Sequence, residues 1–259
     1  MKTADFDLNR ENISLRVCSY NIHKGFSANN GHFLLKEIRH AIRLVNADML
    51  FLQEVVGENT RKAFSVPNWI PETQFEFLAD SVWPHHAYGK NAVYDHGHHG
   101  NAILSRYPLS DWNNVDLSMI PFSNRGLLHA KILGHLHLFC VHFGLMTFEQ
   151  KAQLKRVVEI VNQNTDITDP VIIAGDFNDW RNKAASILQK QLNLQEVTSS
   201  ICSKPCATFP AFFPILPMDR IYFRGLDLVD GDVLTGSPWH ALSDHCAVYA
   251  EFKFANTQH

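Results

Sequence analysis

The sequence contains a series of short apolar runs, each with a polar side chain at one end. The clearest run begins at Val171 and continues through Gly175 to Asp176 and Asn178. Short runs of this composition indicate buried strands. If the strands share one sheet edge, their polar ends meet there, which restricts the chain to a layered fold with one polar edge. The runs cover residues 16–21, 49–54, 137–142, 171–176, 218–223 and 246–252.

Helices and further short strands are predicted between these runs. Thr73 with Glu76 matches a capping box, and Thr147 is predicted to cap the longest helix. Residues 55–70 are predicted to form a long polar loop. Because both hairpins and helices separate the strands, we expect a mixed sheet, with a single parallel sheet as the alternative. The predicted helices cover 32–46, 73–82, 147–162 and 183–191, and the short strands cover 88–90, 101–105 and 126–132.

The polar ends carry side chains that suit the hydrolysis of a phosphoester. In an extended segment Asp176 and Asn178 point to the same side, so a carboxylate and an amide reach one spot. The carboxylate can take a proton from an attacking water, and the amide can donate to a developing negative charge. The same pair also fits an ordinary turn after a strand, so the other strand ends must decide between the two interpretations.

The other strand ends supply metal ligands and a histidine with a carboxylate partner. Glu54, Asp244 and the amide of Asn21 are hard oxygen ligands of the kind that Mg²⁺ and Mn²⁺ prefer. Asp219 could orient the imidazole of His245. The remaining groups, which would surround a phosphate, are His142, Asp176 and Asn178.

The charge of the chain bears on its substrate. The formal net charge is -3 and the pI is near 6.6. Proteins that grip a nucleic-acid backbone usually carry a basic face, and the basic residues 151, 155 and 156 are expected to lie on the solvated face of a helix. A small or lipid-borne phosphodiester therefore ranks above nucleic acid as the substrate.

Composition and patterning predict one soluble catalytic domain over residues 15–255, preceded by a polar segment over 1–14. The first residues lack the apolar core of a signal peptide, and no run is long enough to cross a bilayer. We therefore expect a cytoplasmic protein. The sequence implies no obligate protein partner and leaves peripheral contact with a membrane open.

Three further stretches could determine specificity. Residues 94–100 place three histidines in a glycine-flanked loop, where His99 is expected to contact substrate and a second metal site is the alternative. Arg125 could pair with a phosphate oxygen or form a salt bridge at a sheet edge. Prolines within residues 208–217 predict a loop beside Asp219. Its three phenylalanines are expected to pack against the core; exposed, they would suit an acyl or aromatic part of the substrate.

Seven short motifs follow one another along nearly the whole chain. They are Tyr20-Asn21-Ile22, Leu52-Gln53-Glu54, the hexapeptide at 100–105, Val141-His142, the tetrapeptide at 175–178, Asp219-Arg220-Ile221 and Ser243-Asp244-His245. By this set the chain resembles the endonuclease/exonuclease/phosphatase superfamily, which includes pancreatic deoxyribonuclease, inositol polyphosphate 5-phosphatases and neutral sphingomyelinases. Through the stretch from Asn21 to Phe26 and the one from Gly175 to Trp180, it is most similar to the bacterial YbhP-like subgroup.

The resemblance implies an α+β fold, a four-layer α/β/β/α sandwich with two mixed sheets flanked by helices. It implies a divalent-metal-dependent phosphodiesterase that uses in-line attack by water. At least one Mg²⁺ or Mn²⁺ would be held by Asn21, Glu54 and Asp244. Asp176 would deprotonate the water, with His245 as the alternative base.

The implied catalytic set is His142, Asp176, Asn178, Asp219 and His245, and Asn101 stands where the family has a residue lining the site. Two other functions remain as alternatives: a nuclease acting on DNA or RNA, and an inactive relative that serves as a binding module. An inactive relative would show gaps in the polar set, and none of these residues is missing.

Overall fold

Two six-stranded sheets form the centre of the fold in the computed structural model, which describes residues 14–202 and 204–255. The strands are β1 (Ser14–Asn21), β2 (Met49–Asn59), β3 (His85–Tyr94), β4 (Gly97–Ser105), β5 (Ser110–Asp116), β6 (Gly126–Ile132), β7 (Leu136–His142), β8 (Val171–Asp176), β9 (Gln195–Glu196), β10 (Asp219–Arg224), β11 (Leu226–Leu234) and β12 (Ala247–Phe254). The helices are α1 (Leu35–Val45), α2 (Thr60–Ser65), α3 (Gln74–Ala79), α4 (Thr147–Asn164), α5 (Lys183–Leu192), α6 (Val197–Cys202) and α7 (Trp239–Leu242). Of the predicted polar segment at 1–14, residues 1–13 lie outside the described residues, and Ser14 already belongs to β1.

Both sheets are mixed. The first has the order β11-β12-β1-β2-β4-β3, and the second has the order β5-β6-β7-β8-β10-β9. Each sheet contains one parallel pair, β1 with β2 and β7 with β8, while the other neighbours run antiparallel. The predicted two-sheet sandwich is confirmed, and the alternative of a single parallel sheet is wrong.

Three apolar layers hold these sheets and helices together. The central layer lies between the sheets and joins Phe51 of the first sheet to Leu138 and Ile172 of the second. A second layer packs α1, α3 and α7 on the first sheet, and a third packs α4 and α5 on the second. The result is the four-layer α/β/β/α order, with both sheets covered on their outer faces.

The parallel pair in the second sheet depends on a glycine. Gly175 has φ +148°, and a Cβ at this position would lie 1.9 Å from the carbonyl oxygen of Val141 on β7. Only glycine lets the two strands approach this closely. This approach sets Asp176 directly beside His142.

The prediction of a long polar loop over 55–70 is wrong for residues 55–65. The strand β2 continues to Asn59, and α2 follows at once with the side chain of Asn59 accepting from the Lys62 amide at 2.9 Å. The pairing with β4 shifts register between Leu52 and Val55, so the polar pair before Val55 forms a bulge within the strand and does not end it. A bulge breaks the alternation by which a strand is recognised in a sequence.

Other predicted elements need smaller corrections. The histidine stretch at 94–100 is a tight hairpin between β3 and β4, in which Tyr94 pairs with Gly97. Thr73 does cap α3, with its hydroxyl accepting from the Glu76 amide at 3.3 Å. Thr147 does not cap α4, because the capping position is Met146 and no side-chain bond forms there. The strands β5, β9 and β11 and the short helices α2, α6 and α7 were not predicted.

No helix in the described part of the chain is long and apolar enough to cross a membrane.

Candidate active site

The polar strand ends meet at one edge of the two-sheet core. In the second sheet His142 at the end of β7 and Asp219 at the start of β10 are both register partners of Asp176 at the end of β8. From the first sheet, Asn21 at the end of β1 reaches across to the same carboxylate. Asp176 is therefore a point at which the two sheets share a polar contact.

Four polar side chains surround Asp176. The amide nitrogens of Asn21 and Asn178 each lie 3.2 Å from Asp176 Oδ2. The ring nitrogens Nε2 of His142 and His245 lie 3.4 and 3.9 Å from the same oxygen. Burial raises the pKa of Asp176. The charge of His245 lowers this pKa, and the charge of Asp219 raises it. The carboxylate thus has donors on several sides and a raised proton affinity.

Asn178 reaches this carboxylate by a turn and not by strand alternation. The strand ends at Asp176, and Asn178 has a left-handed φ of 49°. Its backbone amide donates to Asp176 Oδ1 at 2.9 Å, and its side-chain amide also donates to the Phe143 carbonyl at 2.9 Å. The side chains of Asp176 and Asn178 share a site, as expected. The predicted extended geometry is wrong, because the Asp176 carboxylate accepts from the Asn178 backbone amide and so closes a turn between the two residues.

His245 is held by a buried carboxylate. Its Nδ1 lies 2.8 Å from Asp219 Oδ2, and the same oxygen accepts a hydrogen bond from the Thr208 hydroxyl at 2.6 Å. Burial alone would lower the pKa of His245, but the carboxylates of Asp219 and Asp176 raise it. This arrangement fixes the ring and directs Nε2 towards Asp176.

His142 is paired with an arginine. The Nη1 atom of Arg125 lies 2.9 Å from His142 Nε2, and among the described residues no carboxylate forms a salt bridge with this guanidinium. Burial lowers the pKa of His142 well below its usual value, and the positive charge of Arg125 lowers it further. His142 is therefore neutral, and the alternative of a structural salt bridge for Arg125 finds no support in these contacts.

Glu54 and Asp244 lie on either side of His23. The Nδ1 atom of His23 is 4.0 Å from Glu54 Oε2 and 3.2 Å from Asp244 Oδ1, and Lys24 Nζ is 2.5 Å from Glu54 Oε2. Burial opposes the ionisation of Glu54, but its pKa is lowered to about 2, chiefly by the positive charge of Lys24 and the hydrogen bond from it. Burial also opposes the ionisation of Asp244, and its hydrogen bond with His23 lowers the pKa overall. Both groups are therefore carboxylates at neutral pH.

The donor chemistry at this edge fits a hard divalent cation. The predicted ligands are two ionised carboxylates and the Asn21 amide oxygen, which lies 3.1 Å from the His23 backbone nitrogen. A second group of ligand atoms, from Asp176, Asp219 and His245, lies within 4.8 Å of one another. In this group the buried Oδ1 of Asp219 has no hydrogen-bond partner among the described residues.

Comparisons with known proteins identify the family of this chain. The profile of the Endonuclease/Exonuclease/phosphatase family matches residues 18–245, which span every residue described above. The chain belongs to this family. It is similar to the uncharacterized protein YbhP of Escherichia coli K12, with 43% identity over 246 residues that cover 93% of this chain and 97% of that relative. The predicted resemblance to this subgroup is thus confirmed.

Solved structures of family members share the fold. The endonuclease/exonuclease/phosphatase protein from Beutenbergia cavernae superimposes with a TM-score of 0.75 at 21% identity, covering 93% of this chain and 72% of that one. The human Nocturnin catalytic domain with bound sulfate anion gives a TM-score of 0.68 at 18% identity, covering 93% and 94% of the two chains. At these identities the likeness establishes the fold of the family and not a shared substrate.

Two predicted substrate contacts lie deeper than expected. Asn101 is fully buried, and its amide donates to the carbonyls of Gly126 at 3.0 Å and Cys140 at 3.3 Å, so that it joins the two sheets. His99 is half-buried and hydrogen-bonded to the Tyr94 hydroxyl. Burial and, to a smaller extent, the positive charge of Lys24 lower the pKa of His99 to about 4, which keeps the ring neutral. Contact of either residue with substrate stays a prediction.

Three contributors to the site were not assigned a role from the sequence. His23 and Lys24 take left-handed φ angles of 46° and 56°, which turn both side chains towards the carboxylates. Thr208 supports Asp219 from a loop distant in sequence. The motif from Asn21 to Phe26 did draw attention to the first two, and its glycine indicated the turn.

The expectation that the phenylalanines of 208–217 pack against the core is wrong for two of the three. Phe212 and Phe213 are 71% and 68% exposed. Phe209 is half-buried, with its ring centroid 4.9 Å from that of His245. Three prolines keep this segment from pairing along its length, so the aromatic rings extend from a loop at the edge of the site.

Proposed function

We propose that this protein is a divalent-metal-dependent phosphodiesterase that uses in-line attack by water. The observation that carries the proposal is the position of Asp176, which both sheets surround with amide and imidazole groups. A buried carboxylate whose pKa is raised is a competent acceptor for a proton from water. The family is named after endonucleases, exonucleases and phosphatases, and all three kinds of enzyme act on phosphoesters.

The residues around Asp176 divide the remaining tasks. Asp176 would orient the attacking water and take its proton, and Asn178 would fix the direction of attack. His245, held through Nδ1 by Asp219, would donate from Nε2 to a phosphate oxygen. His142 and Arg125 would bind the phosphate from the other side, where the guanidinium can stabilise charge as it develops. His245 remains the alternative base.

The cation would bind at Glu54, Asn21 and Asp244. When bound, Mg²⁺ or Mn²⁺ would offset the negative charge that builds on the phosphate. The ionised state of both carboxylates supports this assignment, because each already attracts a cationic side chain, Lys24 or His23. Lys24 would then neutralise Glu54 whenever the cation is absent.

The substrate would be a small or lipid-borne phosphodiester. The exposed rings of Phe212 and Phe213, on the same loop as the Phe209 ring that packs on His245, support an apolar group next to the phosphate. The net charge of -3 gives no general attraction to a nucleic-acid backbone. A nuclease activity is therefore the second candidate and belongs in the same assay.

Hydrolysis of bis(4-nitrophenyl) phosphate by the purified chain, with EDTA and then with Mg²⁺ or Mn²⁺, tests this function. We expect activity only with metal. The variants Asp176→Asn and His245→Gln should each lower kcat by about two or more orders of magnitude. The matched controls Asp227→Asn and His240→Gln change exposed residues and should keep the parent rate. A folded double variant, D176N/H245Q, that turns over at the parent rate would reject both roles. Cleavage of DNA but of no small diester would favour the nuclease.

A further inference from the structure

Four loops at the active-site edge of the second sheet carry exposed apolar side chains. They are residues 117–125 before β6, 143–146 after β7, 177–182 after β8 and 204–218 before β10. The most exposed of these side chains are Phe122 at 94%, Phe212 at 71%, Phe213 at 68% and Ile215 at 60%, and Leu145 and Met146 are both 57% exposed. We call this set of loops the apolar rim.

The four loops of the apolar rim are held together by hydrogen bonds. Ser123 in the first loop is hydrogen-bonded to Glu149 beside the second, and Gln150 donates to the Asn178 carbonyl in the third at 2.7 Å. The Phe177 amide of the third loop donates to the Met218 carbonyl of the fourth at 2.9 Å. These bonds fix the four loops relative to one another.

The rim is also joined directly to the active site. Arg125 of the first loop contacts His142, and Phe209 of the fourth loop packs on His245. A surface that bound the rim would therefore lie at the entrance to Asp176. Large contiguous apolar patches on a soluble protein mark a place where something else binds.

The charges of the rim indicate which kind of partner surface it would bind. The exposed charged side chains on these loops and on the helix turns that follow them are all basic in the described part of the chain: Lys151, Arg181, Lys183 and Lys204. The acids of the same stretches, Glu149 and Asp179, are only 2% and 5% exposed. Asp179 is used internally, accepting from the Ala184 amide at 2.6 Å. This local basic excess stands against a net charge of -3 for the whole chain.

Apolar side chains interspersed with lysine and arginine match an anionic phospholipid surface. The rings and aliphatic chains would enter the boundary between headgroups and acyl chains, while the ammonium and guanidinium groups remain among lipid phosphates. A nucleic-acid surface would match the basic residues and the rings but would gain little from Leu145, Met146 or Ile215, which cannot stack on bases as aromatic rings do.

We propose that the apolar rim docks the active-site edge onto an anionic phospholipid bilayer. Docking in this orientation presents headgroup phosphodiesters to Asp176, so the role of the bilayer as a source of substrate rests on the phosphodiesterase proposed above. The docking itself does not depend on turnover.

Co-sedimentation of the full chain with vesicles tests the docking. One set of vesicles contains phosphatidylcholine alone, and the other an equal mixture of phosphatidylcholine and phosphatidylglycerol. We expect binding to the mixed vesicles to exceed binding to the neutral ones by about tenfold or more. The double variant F212S/F213S should lose about tenfold or more in partitioning, and R181E/K183E should lose the preference for phosphatidylglycerol.

A matched control changes two side chains with the same exposure elsewhere on the molecule. Leu44 and Ile167 are 71% and 68% exposed and lie on α1 and on the segment between α4 and β8. The variant L44S/I167S should bind the mixed vesicles as the parent does. A parent protein that stays in the supernatant with the mixed vesicles overturns the docking, as does a control that loses as much binding as F212S/F213S.

Two further readouts identify other occupants and separate this proposal from the catalytic one. Sedimentation velocity that shows a dimer in the parent and a monomer in F212S/F213S would make the rim a subunit interface and overturn the proposal. Tighter binding to DNA than to mixed vesicles, lost in R181E/K183E, would do the same. Hydrolysis of bis(4-nitrophenyl) phosphate without vesicle binding would reject docking alone, and vesicle binding without hydrolysis would reject the phosphodiesterase alone.

Discussion

Thr208 has a structural role at the site that its neighbours in sequence do not reveal. Its hydroxyl donates to Asp219 Oδ2 at 2.6 Å and accepts from the backbone amides of Met218 at 3.1 Å and Asp219 at 3.0 Å. The side chain is fully buried. One hydroxyl therefore orients the carboxylate that holds His245 and also satisfies two backbone donors at the start of β10.

Replacing Thr208 with valine should destabilise the protein by about 1–3 kcal/mol, because the buried Asp219 amide loses its acceptor and Asp219 Oδ2 loses one of its two donors while the volume is kept. Urea unfolding measures the loss. The exposed Thr235→Val is the matched control and should stay within about 0.5 kcal/mol of the parent. Equal stability of T208V and the parent would show that another group, such as a water molecule, satisfies these atoms.

Most of the polar residues of the proposed active site could be predicted from the sequence, because they lie at the ends of strands. The residue type and the strand end placed Asp176, His142 and Asp219 at one edge. The roles of His23 and Lys24 could not be predicted, since their side chains reach Glu54 and Asp244 only through left-handed backbone angles. Such angles are uncommon outside glycine and leave little trace in a sequence.

At the scale of elements, the strands that were predicted most completely are those buried on both faces. β7, β8 and β10 are buried along their whole length and read as continuous apolar runs. The missed strands β5 and β11 lie at sheet edges and are largely exposed. Their polar sequences do not resemble strands, because an edge position is specified by its neighbour and not by its own pattern.

The pairing of β6 with β7 contains a buried histidine pair that should make stability depend on pH. His129 Nε2 lies 3.0 Å from His137 Nδ1, and the His129 ring stacks on Phe139 at 4.4 Å. Burial lowers the pKa of His129 to about 4, with His137 and Lys131 contributing and Asp111 opposing. The folded state therefore holds this ring neutral over a range in which the unfolded chain takes up a proton.

The free energy of unfolding should consequently be highest above about pH 6.5 and fall as the pH drops towards about 4, by on the order of 2 kcal/mol from this ring. Urea unfolding at a series of pH values measures the slope. In His129→Phe, which keeps the stacking on Phe139 but cannot titrate, the slope over this range should become smaller. An unchanged slope in H129F would assign the pH dependence to other groups.

The whole molecule is organised around the layer between the sheets. Residues of both sheets interlock there, and two buried amides cross the layer: Asn101 donates to β6 and β7 carbonyls, and Gln53 donates to Cys140 Sγ at 3.3 Å. Neither sheet could keep its inner face dry without the other. The site also depends on both sheets. Its proposed metal ligands Asn21 and Glu54 come from the first sheet, and its proposed base Asp176 comes from the second.

Phe51 tests whether the two sheets unfold as one unit. It is fully buried in the central layer, so Phe51→Ala should lower the free energy of unfolding by about 3–5 kcal/mol through lost burial and a cavity. Because the layer belongs to both sheets, the variant should still unfold in one transition, with far-ultraviolet and near-ultraviolet circular dichroism changing together. Phe64→Ala, at a 94% exposed position, is the matched control and should leave stability within about 0.5 kcal/mol. Two separate transitions in F51A would mean that one sheet with its helices can stand alone, and that the site is assembled by the docking of two independent halves.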